Sequence, residues 1–144
     1  MTVDIALTAD GDLPARAALV TGPALTVQRA QIRLRTWLGE WILDRTVGLP
    51  FFDWLRASPA PVDTIAARLR LELADIPGVL RVETLQATLD RGEQSVSFTG
   101  RVLIAGLDDE VQIAGALGAS PTNSHPFLTM TWVTPSGPII PSIA

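Results

Sequence analysis

Two rhythms of apolar residues alternate along the chain. Between Leu25 and Leu43 the apolar positions Val27, Ala30, Leu34, Trp37, Leu38 and Trp41 step by three and four, which predicts an amphipathic helix. Gln28, Arg29, Arg33, Arg35 and Glu40 fall on its polar side. A second helix is predicted over Val62 to Ile76, with Val62, Ile65, Ala66, Leu69, Leu73 and Ile76 on one stripe and Pro77-Gly78 as the stop. Between the helices, Gly48-Leu49-Pro50 breaks the pattern. Phe51, Phe52, Trp54 and Leu55 then crowd into a short segment ended by Ser58-Pro59-Ala60-Pro61.

The other rhythm has period two. Val96, Phe98, Gly100, Val102 and Ile104 alternate with Ser95, Ser97, Thr99 and Arg101, the signature of a half-buried strand. Val79 to Leu89 reads as its hairpin partner across Asp90-Arg91-Gly92-Glu93. The apolar residues of that partner change parity between Val82 and Leu85, as a β-bulge requires. Gly106-Leu107-Asp108-Asp109 turns into Val111 to Ala114, completing a three-stranded meander. At the N-terminus, Val3 to Leu7 and Ala17 to Val20 flank Asp10-Gly11-Asp12 as a small hairpin. The fold class is thus α+β: two amphipathic helices packed on a small antiparallel sheet made of the N-terminal hairpin and the C-terminal meander.

Beyond Gly115, Gly, Ser, Asn and recurrent Pro (Pro121, Pro126, Pro135, Pro138, Pro141) predict a Pro-rich C-terminal arm. Within it, Phe127 to Val133 has strand composition and is open to pairing with its own sheet or with another protein. We therefore expect one domain over residues 1–118 and an extended arm over 119–144. A chain of 144 residues suits a single core, and 47% hydrophobic against 18% charged residues gives it the means to fold.

Charge and chemistry narrow the function. The net charge is -4 and every cation is Arg, so no basic field gathers phosphates and nucleic acid is not an expected partner. Without Cys there are no disulfides, thiolate zinc sites or cysteine nucleophiles. No apolar run reaches membrane-spanning length, and the N-terminus lacks a secretory pattern, which reads as cytoplasmic. His125, between Ser124 and Pro126, is the single histidine and reads as a surface imidazole rather than a base or ligand. Gly115-Ala116-Leu117-Gly118 lacks the spacing and the Lys of a phosphate loop.

Glu40 and Asp44 form a carboxylate pair of the kind that runs glycoside hydrolysis. Beside Arg45, however, ion pairing is the simpler role. Catalytic, metal and cofactor sites are therefore not expected. Trp37 and Trp41, on the apolar helix face, are expected in the core. Trp54 and Trp132, near irregular segments, are expected as interface anchors.

The segment QRAQIRLRTWLGEW from Gln28 to Trp41, then Leu43-Asp44 and Gly48-Leu49-Pro50, is preceded by Leu19-Val20-Thr21-Gly22 and followed by Ile76-Pro77-Gly78-Val79. In this order the motifs resemble the small wedge proteins of contractile-tail baseplates, typified by gene product twenty-five of the T-even phages. Where T-even and type six secretion members carry a Glu-Pro-Arg triplet, this chain has Ile76 to Arg81, so the resemblance is to the Mu-like branch and Arg81 is the guanidinium left at that place.

The resemblance implies a structural subunit of a tailed-phage or phage-like baseplate, assembled in the host cytoplasm into the virion tail. It implies a link from the wedge to the tail tube and sheath, and a starting point for sheath polymerisation. The implied partners are a large J-like wedge protein, sheath subunits and other baseplate proteins, in a hetero-oligomeric ring without nucleic acid or membrane. The meander containing Val96 to Ile104, or Phe127 to Val133, is expected to add to a partner sheet. The candidate motif and interface residues are Arg33, Arg35, Trp37, Gly39, Glu40, Trp41, Asp44, Gly48, Pro50, Trp54, Arg81 and Trp132. Among them, Leu34, Trp37 and Leu38 would pack the helix on the sheet, Gly39 would allow close approach, and Glu40 would meet Arg groups. The alternatives are a tail-associated cell-wall hydrolase or a tail-completion or neck protein.

Overall fold

The computed structural model describes residues 3–8, 12–16, 18–57, 61–90, 95–119, 126–135 and 137–138. His125 and the turns at Asp10-Gly11 and Arg91-Gly92-Glu93 lie outside them. Among the described residues the strands form two antiparallel sheets. The smaller pairs β1 (Val3–Ile5) with β2 (Leu19–Thr21), the expected N-terminal hairpin. The larger has the sequential order β3 (Val79–Asp90), β4 (Ser95–Ile104), β5 (Val111–Ala119), β6 (Pro126–Thr134) and β7 (Gly137–Pro138). Three helices lie between the sheets in sequence: α1 (Gly22–Arg35), α2 (Phe51–Arg56) and α3 (Val62–Ala74).

Period-two alternation makes the main sheet one-sided. Val96, Phe98, Val102 and Ile104 of β4 are buried, as are Val111, Ile113 and Leu117 of β5 and Met130 and Trp132 of β6. Ser97, Thr99, Gln112 and Thr131 face out. The helices cover the inner face with Val27, Ala30 and Leu34 from α1 and Ile65, Leu69 and Leu73 from α3. The parity change in β3 is a real irregularity, with register shifts at Val79/Arg81 and Val82/Thr84.

Part of the stretch expected to extend as an arm belongs to this sheet. β6 pairs along β5 from Gln112↔Val133 to Ala119↔Pro126, because Met130 and Trp132 have the same inward parity as Ile113 and Leu117. Of the two pairings open for this segment, the chain's own sheet is the one formed. Within the meander β4 is flanked on both sides by β3 and β5, so the expected addition to a partner sheet falls to the edge strand β3.

The first helix is shorter than its periodicity predicts. α1 ends at Arg35, and Thr36 is extended with φ -74 and ψ 124. A backbone bridge pairs Trp37 with Leu49: Leu38 N–H donates to the Leu49 carbonyl and Leu49 N–H to the Thr36 carbonyl, both at 3.0 Å. These bonds divert the chain before Trp37, Leu38 and Trp41 can join the helix, whatever their spacing. Leu34 is fully buried and Trp37 is partly buried against the core, but Leu38 and Trp41 are exposed.

The expected placement is thereby reversed for Trp41, Trp54 and Trp132, while Trp37 packs against the core. Trp54 and Trp132, expected as interface anchors, lie in the core, Trp54 edge-on to Phe51 at 5.9 Å. The aromatic cluster had been read as an irregular joint; as α2 it carries Phe51 and Trp54 inward.

Gln28 was also placed on the polar side and is 3% exposed. Its side-chain amide donates to the Ile5 carbonyl and accepts from Leu7 N–H, both at 2.9 Å, so it binds β1 to α1 as a neighbouring strand would. Truncating Trp132 to Ala should cost roughly 3–5 kcal/mol. Trp41→Ala should stay within about 0.5 kcal/mol of the native chain. Urea unfolding midpoints read both, and equal losses would contradict the reversed burial.

Candidate interaction surface

The segment from Thr36 to Leu49 forms a loop closed at its base by the Trp37–Leu49 bridge. Its polar groups are spent on its own shape. Glu40 Oε2 accepts from Trp37 N–H at 2.9 Å while Glu40 N–H donates to the Trp37 carbonyl at 3.0 Å, a reciprocal clasp. Asp44 Oδ1 accepts from the Thr46 hydroxyl at 2.6 Å and from Thr46 N–H at 3.0 Å. Those bonds, the hydroxyl first, hold the Asp44 carboxyl below its ordinary pKa. The Asp44-x-Thr46 spacing is a legible signal for such a turn.

Two glycines make the loop possible for different reasons. Gly39 has φ +84 and empty space where a side chain would point, so it supplies the turn and not the close approach expected of it. Gly48 makes the close approach: a Cβ there would collide with the Trp37 backbone, and its φ of +112 favours glycine independently. Pro50 follows as the residue capping α2.

Beside the exposed Asp44 and Arg45, the loop also presents carbon to solvent. Leu38 and Trp41 are half exposed, and Ile42 and Leu43 are 77% and 80% exposed. Beside them Ile32 projects from α1 at 48% exposure. Adjacent exposed large apolar side chains of this kind mark a surface meant to be covered. A groove of about 530 Å³ runs between the two, lined by Arg29, Ile32 and Arg33 of α1 and by Thr36, Glu40, Trp41 and Val47 of the loop.

The rear of the groove is fixed by charge. Arg33 Nε donates to Glu72 Oε2 at 2.7 Å and its Nη2 to Asp75 Oδ2 at 3.0 Å, while Arg68 Nη2 reaches the other Glu72 oxygen at 2.8 Å. Glu72 thus ties α1 to α3, and its hydrogen bond is the main reason the Arg33 pKa is raised. Glu40 was expected to meet Arg groups; among the described residues it forms no ion pair and clasps the backbone instead.

The structure therefore gathers Arg33, Glu40 and Trp41 on one groove. Trp37, Gly39, Asp44 and Gly48 shape the adjoining loop. Arg35, at the end of α1, has its Nε enclosed without a hydrogen-bond partner among the described residues. Arg81 stands apart on β3, paired with Glu83. Sequence reasoning missed Ile32, Val47, Glu72 and Asp75, because their value depends on a loop closure and a helix pairing that no local period encodes.

Among the described residues no group of three or more His, Cys, Asp or Glu side chains is placed to hold a metal, and no helix is long and apolar enough to cross a membrane. Gly39→Ala should lose roughly 1–2 kcal/mol from its backbone angle alone. Gly48→Ala should lose distinctly more, because Trp37 must also move. Denaturation midpoints separate the two, and equal losses would contradict the close packing at Gly48.

No curated protein matches the chain. The family model of the contractile injection system sheath initiator matches residues 3–103, well over half of the sequence, spanning β1 through nearly all of β4 and including the whole loop and groove. A structural subunit with a preformed apolar surface and an open-edged sheet suits the assembly of a contractile tail, and the chain belongs to the contractile injection system sheath initiator family.

Proposed function

We propose that this protein sits in the inner baseplate, links a large J-like wedge protein to the tail, and nucleates the sheath. The motif order from Leu19-Val20-Thr21-Gly22 to Ile76-Pro77-Gly78-Val79 supports the finer placement beside gene product twenty-five of the T-even phages, on the Mu-like side. The observation that carries the reading is the family match over residues 3–103.

The sheet supports a specific manner of nucleation. β3 is an edge strand of the main sheet, and the two halves of its outer edge differ. The first half is blunted by both register shifts and by Arg70, whose Nη2 donates to the Val82 carbonyl at 3.1 Å. From Leu85 to Leu89 the register is unbroken. There Leu85, Ala87 and Leu89 lie half-buried at the margin of the core, while Gln86 and Thr88 face out. A sheath strand laid along Leu85 to Leu89 would pair with the unsatisfied backbone groups and cover that margin.

We further propose a non-catalytic role. A general acid for glycoside hydrolysis needs a raised pKa, whereas Asp44 is shifted the other way by Thr46 and is fully exposed. The carboxylates of the loop serve its fold.

Reconstitution decides. Baseplates assembled without the chain should form tubes on which no sheath grows in electron micrographs, and normal sheath without it would overturn the reading. Because the sequence has no Cys, Gln86→Cys or Thr88→Cys carries a single thiol for a maleimide photo-crosslinker. Assembled tails should then yield crosslinks to sheath, and crosslinks to wedge protein alone would move sheath contact away from β3.

A further inference from the structure

The groove beside α1 offers no place for a strand. At its loop wall, Leu38 N–H, Leu49 N–H and the Thr36 carbonyl are consumed by the Trp37–Leu49 bridge, and Trp37 N–H by Glu40. Backbone pairing of the kind proposed for β3 is therefore unavailable here, and an occupant must engage through side chains.

Shape selects the kind of side-chain donor. Arg29, Ile32 and Arg33 are spaced i, i+3 and i+4 on one stripe of α1, and Thr36 just past its end extends the wall to about 10 Å at the helical rise. Opposite, Trp41 and Val47 complete the apolar lining, held in place by the clasp at Glu40 and the tight packing at Gly48. A groove of this length between a helix and a hydrogen-bonded loop accepts about two turns of another helix, with apolar residues at i, i+3, i+4 and i+7. The wall is formed before binding, which limits the ordering that association requires.

Charge selects the helix further. Arg33 already faces two carboxylates, Glu72 and Asp75. Glu40, at the loop end of the trough, has an oxygen engaged by Trp37 N–H. Arg29 lies at the opposite end, half-buried, and among the described residues it has no ion-pair partner. The open positive charge of the groove is thus Arg29, at the end away from the Glu40 carboxylate. An Asp or Glu on the occupant satisfies it, and desolvation by the apolar neighbours makes that pairing selective.

We infer that the groove docks an amphipathic helix of another baseplate subunit, its apolar face between Ile32 and Trp41 and a carboxylate against Arg29. This deepens the assembly reading above and rests on it for the source of the helix. The dock is distinct from the β3 edge: the edge recruits backbone, whereas the groove reads side-chain pattern and charge. Ile42 and Leu43, exposed at the rim, extend the contact.

The test uses the full chain in assembled tails, with a benzophenone side chain replacing Ile42 and crosslinked peptides identified by mass. The expected product is a peptide of a subunit other than sheath, with helical spacing of apolar residues and an Asp or Glu among them. In an Arg29→Glu background the yield should fall about tenfold, and should recover when that carboxylate of the partner is replaced by Lys. Unchanged thermal melting of Arg29→Glu establishes that folding is not the cause.

Crosslinks to sheath, to a second copy of this chain or to a peptide without an acidic residue overturn the dock. So does a yield indifferent to Arg29→Glu, or no crosslink in tails whose sheath grows normally. If the native chain fails to support sheath growth at all, the assembly reading itself falls and the dock with it.

Discussion

Two hydrogen bonds between Thr36–Leu38 and Leu49 govern most of what this chain does. They stop α1 at Arg35 despite continuing helical periodicity, and they close the twelve or so intervening residues into a loop of fixed outline. They also deliver Leu49, Phe51 and Trp54 to the core from the far side. Each bond is worth on the order of 1 kcal/mol net, too little alone to override a helix. The bridge is reinforced by the burial of Leu49, Phe51 and Trp54, which it delivers to the core. The apolar rim of the loop and the groove wall are consequences of that choice.

Legibility in the sequence follows the range of the interactions. β4 was readable because its alternation is local and one face is buried; the β3 irregularity was readable because it shifts parity within four residues. α3 ends near its Pro-Gly stop, and Gly78 there has φ +99 with no room for a Cβ beside Thr26. The end of α1 was not readable, since it is set by Leu49, more than ten residues away. The same error moved Trp41 into the core on paper and left Trp132 outside it, because the partner that buries Trp132 is the β5 strand beside a Pro-rich stretch. Gln28 escaped for a related reason: polarity placed it outward, while an unpaired stretch of backbone at Ile5 and Leu7 drew it in.

The candidate residues divide along the same line. Those whose effect is conformational, such as Gly48 and Pro50, occupy positions where the motif itself shows a break in pattern. Those whose effect is contact, such as Ile32 and Val47, look like ordinary aliphatic residues until the loop folds back. Sequence resemblance points to this region because it weighs the order of such breaks, and it says little of which side chains face outward.

The two contact surfaces proposed above must be held in fixed relation to act together, and α3 supplies that relation. One side of α3 packs along β3, whose far edge is open from Leu85 to Leu89. Its Glu72 is simultaneously gripped by Arg33 of α1 and by Arg68 of its own helix, with the carboxylate only 11% exposed. Because Glu72 is shielded and held from two sides, its pairing resists screening better than an exposed ion pair. Displacing α1 against α3 would cost that carboxylate its Arg33 bond and leave it only Arg68, which couples the groove to the sheet edge. Strain arriving at either surface is passed to the other through a charged clamp and a common apolar core. Rigidity of this kind is what a ring of subunits needs if the first layer of an ordered polymer is to start in register.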